Sequence, residues 1–135
     1  MKKSALIIAL IALALSAANS FIIIQEHFKQ DVQYVLYLGT NHKNTNEPVF
    51  SKSDAKFNAD SILVKYFSGF TIQEADGGWL EDNGVISHEY TLVIYLSDTN
   101  LNQVHKACSE LIEKFHQNSV LIQANTTKTE FYSGE

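Results

Sequence analysis

The chain predicts an α+β fold, a βαββαβ two-layer sandwich in which two helices cover one face of a four-stranded antiparallel sheet. Three observations carry that prediction. Residues 32–39 ("VQYVLYLG") and the end of 85–96 ("VISHEYTLVIYL") are apolar at both parities, as central strands are. Residues 70–75 ("FTIQEA") alternate apolar and polar, and 119–131 ("SVLIQANTTKTEF") fade into Thr and Lys, as edge strands do. Two further stretches repeat their apolar residues at helical spacing.

Each element follows in order. After the first strand, residues 40–48 ("TNHKNTNEP") form a polar loop rich in turn formers. Ser51 and Asp54 have the spacing of a capping box, and Ala55, Ala59, Ile62, Leu63 and Tyr66 then mark one helical face, which Ser68-Gly69 ends. The second strand runs toward Asp82-Asn83-Gly84, where Asn-Gly predicts a type I′ hairpin turn into the third strand. Residues 97–100 ("SDTN") offer N-caps to a second helix with Leu101, Val104, Cys108, Leu111, Ile112 and Phe115 on its face, and Asn118 ends it. Right-handed crossovers place strands one and three in the middle of the sheet, where the doubly apolar runs belong. This is the ferredoxin-like arrangement.

The N-terminus stands apart. Lys2 and Lys3 precede an unbroken apolar run, 5–15, followed by small residues at 16–20 and then Phe21 to Ile24. Residues 1–24 are either a cleaved signal peptide or an uncleaved membrane anchor, since 5–24 is long enough, at about 1.5 Å per residue, to span about 30 Å of hydrocarbon. Either way the positive-inside bias leaves the lysines in the cytoplasm and the domain outside it. Residues 25–31 then read as a tether, and 32–135 as the domain. Membrane contact is expected only through the N-terminal segment.

Composition excludes several functions. The formal charge is -5, two units more negative without Lys2 and Lys3, and all ten basic residues are Lys. An acidic chain without Arg forks is a poor partner for nucleic acid or an anionic bilayer. The single Cys108 allows no internal disulfide, no thiolate-rich metal site and no CxxC motif. No acidic window has EF-hand spacing, so neither a metal nor a cofactor is expected. An RNA-binding sheet would need basic residues among its aromatics, a copper chaperone a Cys pair, and an acylphosphatase-like site an Arg.

With the strands placed, the motif "YLG…GFT…GGW…NG…HEYTLVIYL…NSVL" resembles an uncharacterised family of small, often exported bacterial domains, the domain of unknown function catalogued as number 3574. The matching residues are Leu38-Gly39, Phe70-Thr71, Gly78-Trp79, Gly84, Glu89 and Ser119-Val120. The resemblance implies a fold and an export habit, and no activity.

Candidate functional residues concentrate in and beside the hairpin. If Leu36, Leu38, Leu92, Ile94 and Leu96 face the helices, then Val35, Tyr37, Glu89, Val93 and Tyr95 face the other way. That apolar second face predicts a homodimer, a small-molecule ligand or an envelope protein partner. Its candidate binding residues are Trp79, Glu89, Tyr37 and Tyr95, with Gly78 allowing close approach of a ligand. Glu74, Asp76, Glu81 and Asp82 read as a solvated acidic edge. The alternative is an enzyme of the dimeric α+β-barrel type, monooxygenase-like or haem-degrading-like. Its site would use Asn41, Trp79 and His88 or His105.

Overall fold

The computed structural model describes residues 11–16 and 29–134. The expected signal or anchor segment and tether lie largely outside the described residues; of them, 11–16 are helical and exposed, and 29–31 belong to the first strand rather than to a tether. Among the described residues no helix is long and apolar enough to cross a membrane.

The chain divides into two compact units, one of Val32–Thr127 and one holding the residues on either side of it. The smaller unit contains the start of the first strand and the end of the last, where the Thr129 hydroxyl donates to the Asp31 carboxylate. The larger carries the fold. Its elements are β1 (Lys29–Gly39), α1 (Lys52–Leu63), β2 (Thr71–Leu80), β3 (Ile86–Leu96), α2 (Leu101–Lys114) and β4 (Leu121–Thr129). The sheet order is β2-β3-β1-β4, and β3 runs antiparallel to both of its neighbours.

The core lies between sheet and helices. Leu36, Leu38, Leu92, Ile94 and Leu96 pack against Ala55, Ala59, Ile62 and Leu63 of α1 and against Val104, Ala107, Cys108 and Leu111 of α2, with Phe115 closing one end. Of the two parities open to the strands, the structure adopts the one that turns these residues to the helices. Both parities of the central strands are apolar, so their period leaves the choice open and packing against the two helices decides it.

Capping chemistry sets the helix ends. The Ser51 hydroxyl accepts from the Asp54 amide at 3.2 Å and donates to the Asp54 carboxylate at 2.7 Å, so Asp54 bonds the cap's side chain rather than its backbone. Asn100 caps α2 by accepting from the Gln103 amide. At the other end of α2 the left-handed residue is His116, φ 52°, not the expected Asn118. The amides of His116 and Gln117 donate back to Glu113 and Ile112, a Schellman closure.

Two further expectations are corrected. β2 does not stop at Ala75 but continues to Leu80, because Asp76 to Leu80 keep pairing with Tyr90 to Ile86 across two glycines. The hairpin is not type I′. Glu81 pairs with Val85 around the three residues Asp82, Asn83 and Gly84, and of these only Gly84 has positive φ, at 81°. Asn83 instead folds its side chain into the loop, accepting from the Val85 amide and donating to Glu81.

Candidate functional site: a polar cavity at one end of the sheet

The register decides which candidates share a face. Thr71, Gln73, Ala75, Gly77 and Trp79 of β2 stand opposite Tyr95, Val93, Thr91, Glu89 and Ser87 of β3, and Val35, Tyr37 and Gly39 complete the row on β1. All point away from the helices. Trp79 and Glu89 are diagonal neighbours, a spacing of roughly 7–8 Å in a regular antiparallel pair.

Two glycines make room for the side chains of β3. A Cβ on Gly39 would lie 2.3 Å from one Glu89 carboxylate oxygen and 2.4 Å from the other, and a Cβ on Gly77 would lie 2.3 Å from the Thr91 hydroxyl. Glu89 therefore leans over β1 and Thr91 over β2. Among the described residues the Glu89 carboxylate accepts one hydrogen bond, from the Asn41 amide at 3.1 Å. An anion on a strand is thus held by a glycine gap and a single backbone donor.

A cavity of about 530 Å³ opens beside it, within the size range of small-molecule sites. Its lining includes Trp79, Glu81 and Glu89 from the hairpin strands, the loop from Asn41 to Asn46, and Gln117 to Ser119 before β4. One side is stiffened by a continuous polar chain. The Asn41 side-chain amide donates to the Asn46 carbonyl and side-chain oxygens, and Asn46 donates to the Ser87 hydroxyl at 3.0 Å. Ser87 donates in turn to Glu81, and the Gln117 amide donates to the Asn41 carbonyl. The loop that reads as turn formers is therefore a structured wall, with Asn46 held at φ 55°.

The predicted residues divide accordingly. Trp79, Glu89 and Asn41 come together at the cavity, although Asn41 was expected only in the enzyme alternative. Tyr37 and Tyr95 share the face but lie further along the sheet, half-buried beside the buried Val35 and Val93, with hydroxyls donating to Gln123 and Gln73. Gly78 faces the helix side, where a Cβ would meet the His88 ring at 3.3 Å; the glycine facing Glu89 is Gly77. His88 also points to the helix side, and only its carbonyl reaches the Asn41 amide. His105 is exposed on α2. The structure does not gather Asn41, His88 and His105 into one catalytic group.

The sequence did not point to Gly39, Asn46, Glu81, Ser87 and Gln117 as parts of the site. Continuing the alternation of β2 past Ala75 puts Gly77 and Trp79 on one face. The Asn46 and Gln117 contacts span the fold and leave no local signal.

The fold and cavity define the class: a small α+β domain with a recessed polar site at the edge of its sheet. Residues 33–131 match the family described as "Protein of unknown function (DUF3574)", and the chain belongs to that family. No curated protein matches it. Among solved structures it is similar to a phage SAM lyase in complex with S-methyl-5'-thioadenosine, with TM-score 0.57 and 16% identity over 78% of this chain and 93% of that one. A phage SAM lyase in the apo state gives TM-score 0.55 at 15% identity, covering 78% and 94%. CutA from Synechococcus elongatus PCC7942 follows at TM-score 0.49 and 10% identity, covering 75% and 80%. At these identities the likeness is one of fold.

Proposed function

We propose that the chain is a ferredoxin-like, extracytoplasmic binding domain, exported or tethered by residues 1–24, whose small-molecule ligand occupies the cavity between Trp79 and Glu89. The observation that carries this reading is the Glu89 carboxylate, kept on the sheet surface by the gap at Gly39 and turned to a cavity that also exposes the only Trp of the chain. A fully solvated structural carboxylate needs neither a missing Cβ nor a stiffened wall. The phage SAM lyase illustrates that a protein of this fold can carry a small organic molecule; the ligand of this chain is set by its own residues.

Homodimerisation through the face bearing Tyr37 and Tyr95, or docking of an envelope protein, is the interaction side of the same proposal. The half-buried Tyr37 and Tyr95 rings on that face support it.

Native mass spectrometry of the chain as purified from cells tests both parts. A mass above that of the polypeptide, lost in Glu89→Gln, supports the binding site, and a dimer supports the interface. A bare mass together with an unchanged Glu89→Gln variant would overturn the binding reading. A bare monomer would overturn the dimer.

A further inference from the structure

We propose that the cavity selects an organic cation, with an ammonium group seated between the Glu89 carboxylate and the indole of Trp79. This rests on the binding reading above and specifies its ligand. The donors nearest Glu89 bond the wall itself. The side-chain amides of Asn41, Asn46 and Gln117 donate to Asn46, Ser87 and Asn41. The Ser87 hydroxyl is spent on Glu81.

Glu89 and Trp79 offer the cavity acceptor and π surface. Among the described residues Glu89 accepts one hydrogen bond, and a carboxylate has room for several. Trp79 is 40% exposed, so its ring is accessible to a ligand. Trp offers the strongest cation–π surface of any side chain.

Other ligand classes fit less well. An anion would meet two carboxylates, with only Lys43 on the rim to offset them and no Arg in the chain. A neutral polyol would leave the charge of Glu89 without a counter-charge. A bare metal ion needs several hard or imidazole ligands, and among the described residues no three His, Cys, Asp or Glu converge. An ammonium on an organic body needs one unneutralised carboxylate, an aromatic face and a cavity for the remainder, and all three are present.

The chain contains one Trp, so its indole emission reports the cavity alone. The experiment titrates the full chain with choline and with putrescine, each against the neutral isostere in which the charged nitrogen is replaced. The expected result is a saturable change in Trp79 emission with at least one cation, little response to its neutral isostere, and binding weakened about tenfold or more in Glu89→Gln, a loss of about 1.4 kcal/mol. Calorimetry on Trp79→Phe, which keeps Glu89, should show weakened cation binding as well. Its melting curve, with that of Glu89→Gln, checks that both variants fold.

A neutral isostere that binds as well as its cation, or a Glu89→Gln variant that binds cations like the parent, would overturn the cation assignment and leave the cavity a binding site. No cation response alongside a native mass carrying another adduct would do the same. No cation response and a bare native mass would overturn both readings.

Discussion

The Glu89 carboxylate occupies the space a side chain on Gly39 would fill, its oxygens 2.3 and 2.4 Å from where that Cβ would be. The two residues lie on neighbouring strands, fifty positions apart in the chain. Each makes sense only with the other: a glycine in a central strand costs about 0.5–1 kcal/mol of backbone entropy relative to Ala, and a carboxylate on a sheet face needs somewhere to lie.

Gly39→Ala should therefore push the Glu89 side chain off the Asn41 amide and lower stability by about 1.5–3 kcal/mol, the worth of a hydrogen bond to a charged group. In a Glu89→Ala background the same substitution should be neutral to within about 0.5 kcal/mol. Denaturant melts of the four chains form the double-mutant cycle. An equal cost in both backgrounds would show that the glycine serves some other contact.

Gly84→Val tests the hairpin. Nothing lies within 4 Å of where its Cβ would be, so any penalty comes from the backbone, held at φ 81°. A β-branched residue there should cost about 1–2 kcal/mol, while Asn, which tolerates the left-handed region, should cost clearly less. Thermal melts of the two variants check the order, and equal melting temperatures would contradict the loop geometry.

Burial pushes the Cys108 thiol from its ordinary 9.0 up to about 11. The native chain should resist thiol reagents at neutral pH and react once unfolded. The folded state also holds this proton more tightly than the unfolded state. The stability this contributes is complete below pH 9.0 and is lost as pH rises through about 11. Cys108→Ala should remove that part of the alkaline loss, read as a flatter profile of melting temperature against pH.

Glu110 shows the opposite sign. It accepts from Lys65 at 2.6 Å and from the Tyr66 hydroxyl, and these bonds hold its carboxyl below the usual carboxylate range. Its contribution is present above the ordinary carboxylate pKa and is lost as pH falls through the lowered one. Glu110→Gln should be slightly less stable than the parent at neutral pH and equal to it in acid. The pair is exposed, so added salt should shrink the difference. A difference that persists in acid would point to packing rather than charge.

Much of this protein is legible without coordinates. The doubly apolar runs mark β1 and β3 as central strands, and the helical periodicity assigns Val104, Cys108 and Leu111 to the core, while the strand parity stays open until the helices are packed. These are local periodicities answering to one requirement, the removal of apolar surface from water. Local chemistry also misleads where two solutions compete. Asn83-Gly84 suits a two-residue turn, and the three-residue loop wins here by placing positive φ on Gly84 alone and giving the Asn83 side chain two hydrogen bonds.

The site belongs to the tertiary structure. Trp79 and Glu89 are suggestive in the sequence, but their depth, their neighbours and the cavity between them depend on how β1 lies beside β3 and where the loop from Asn41 to Asn46 settles. Gly39 against Glu89, Asn46 against Ser87 and Gln117 against Asn41 are contacts between residues about 40 to 80 positions apart. Sequence alone determined which faces are apolar, because hydrophobic period is a property of neighbours along the chain. Only the folded chain decided which polar groups meet, because a long-range hydrogen bond depends on register and loop path, and neither has a period to read.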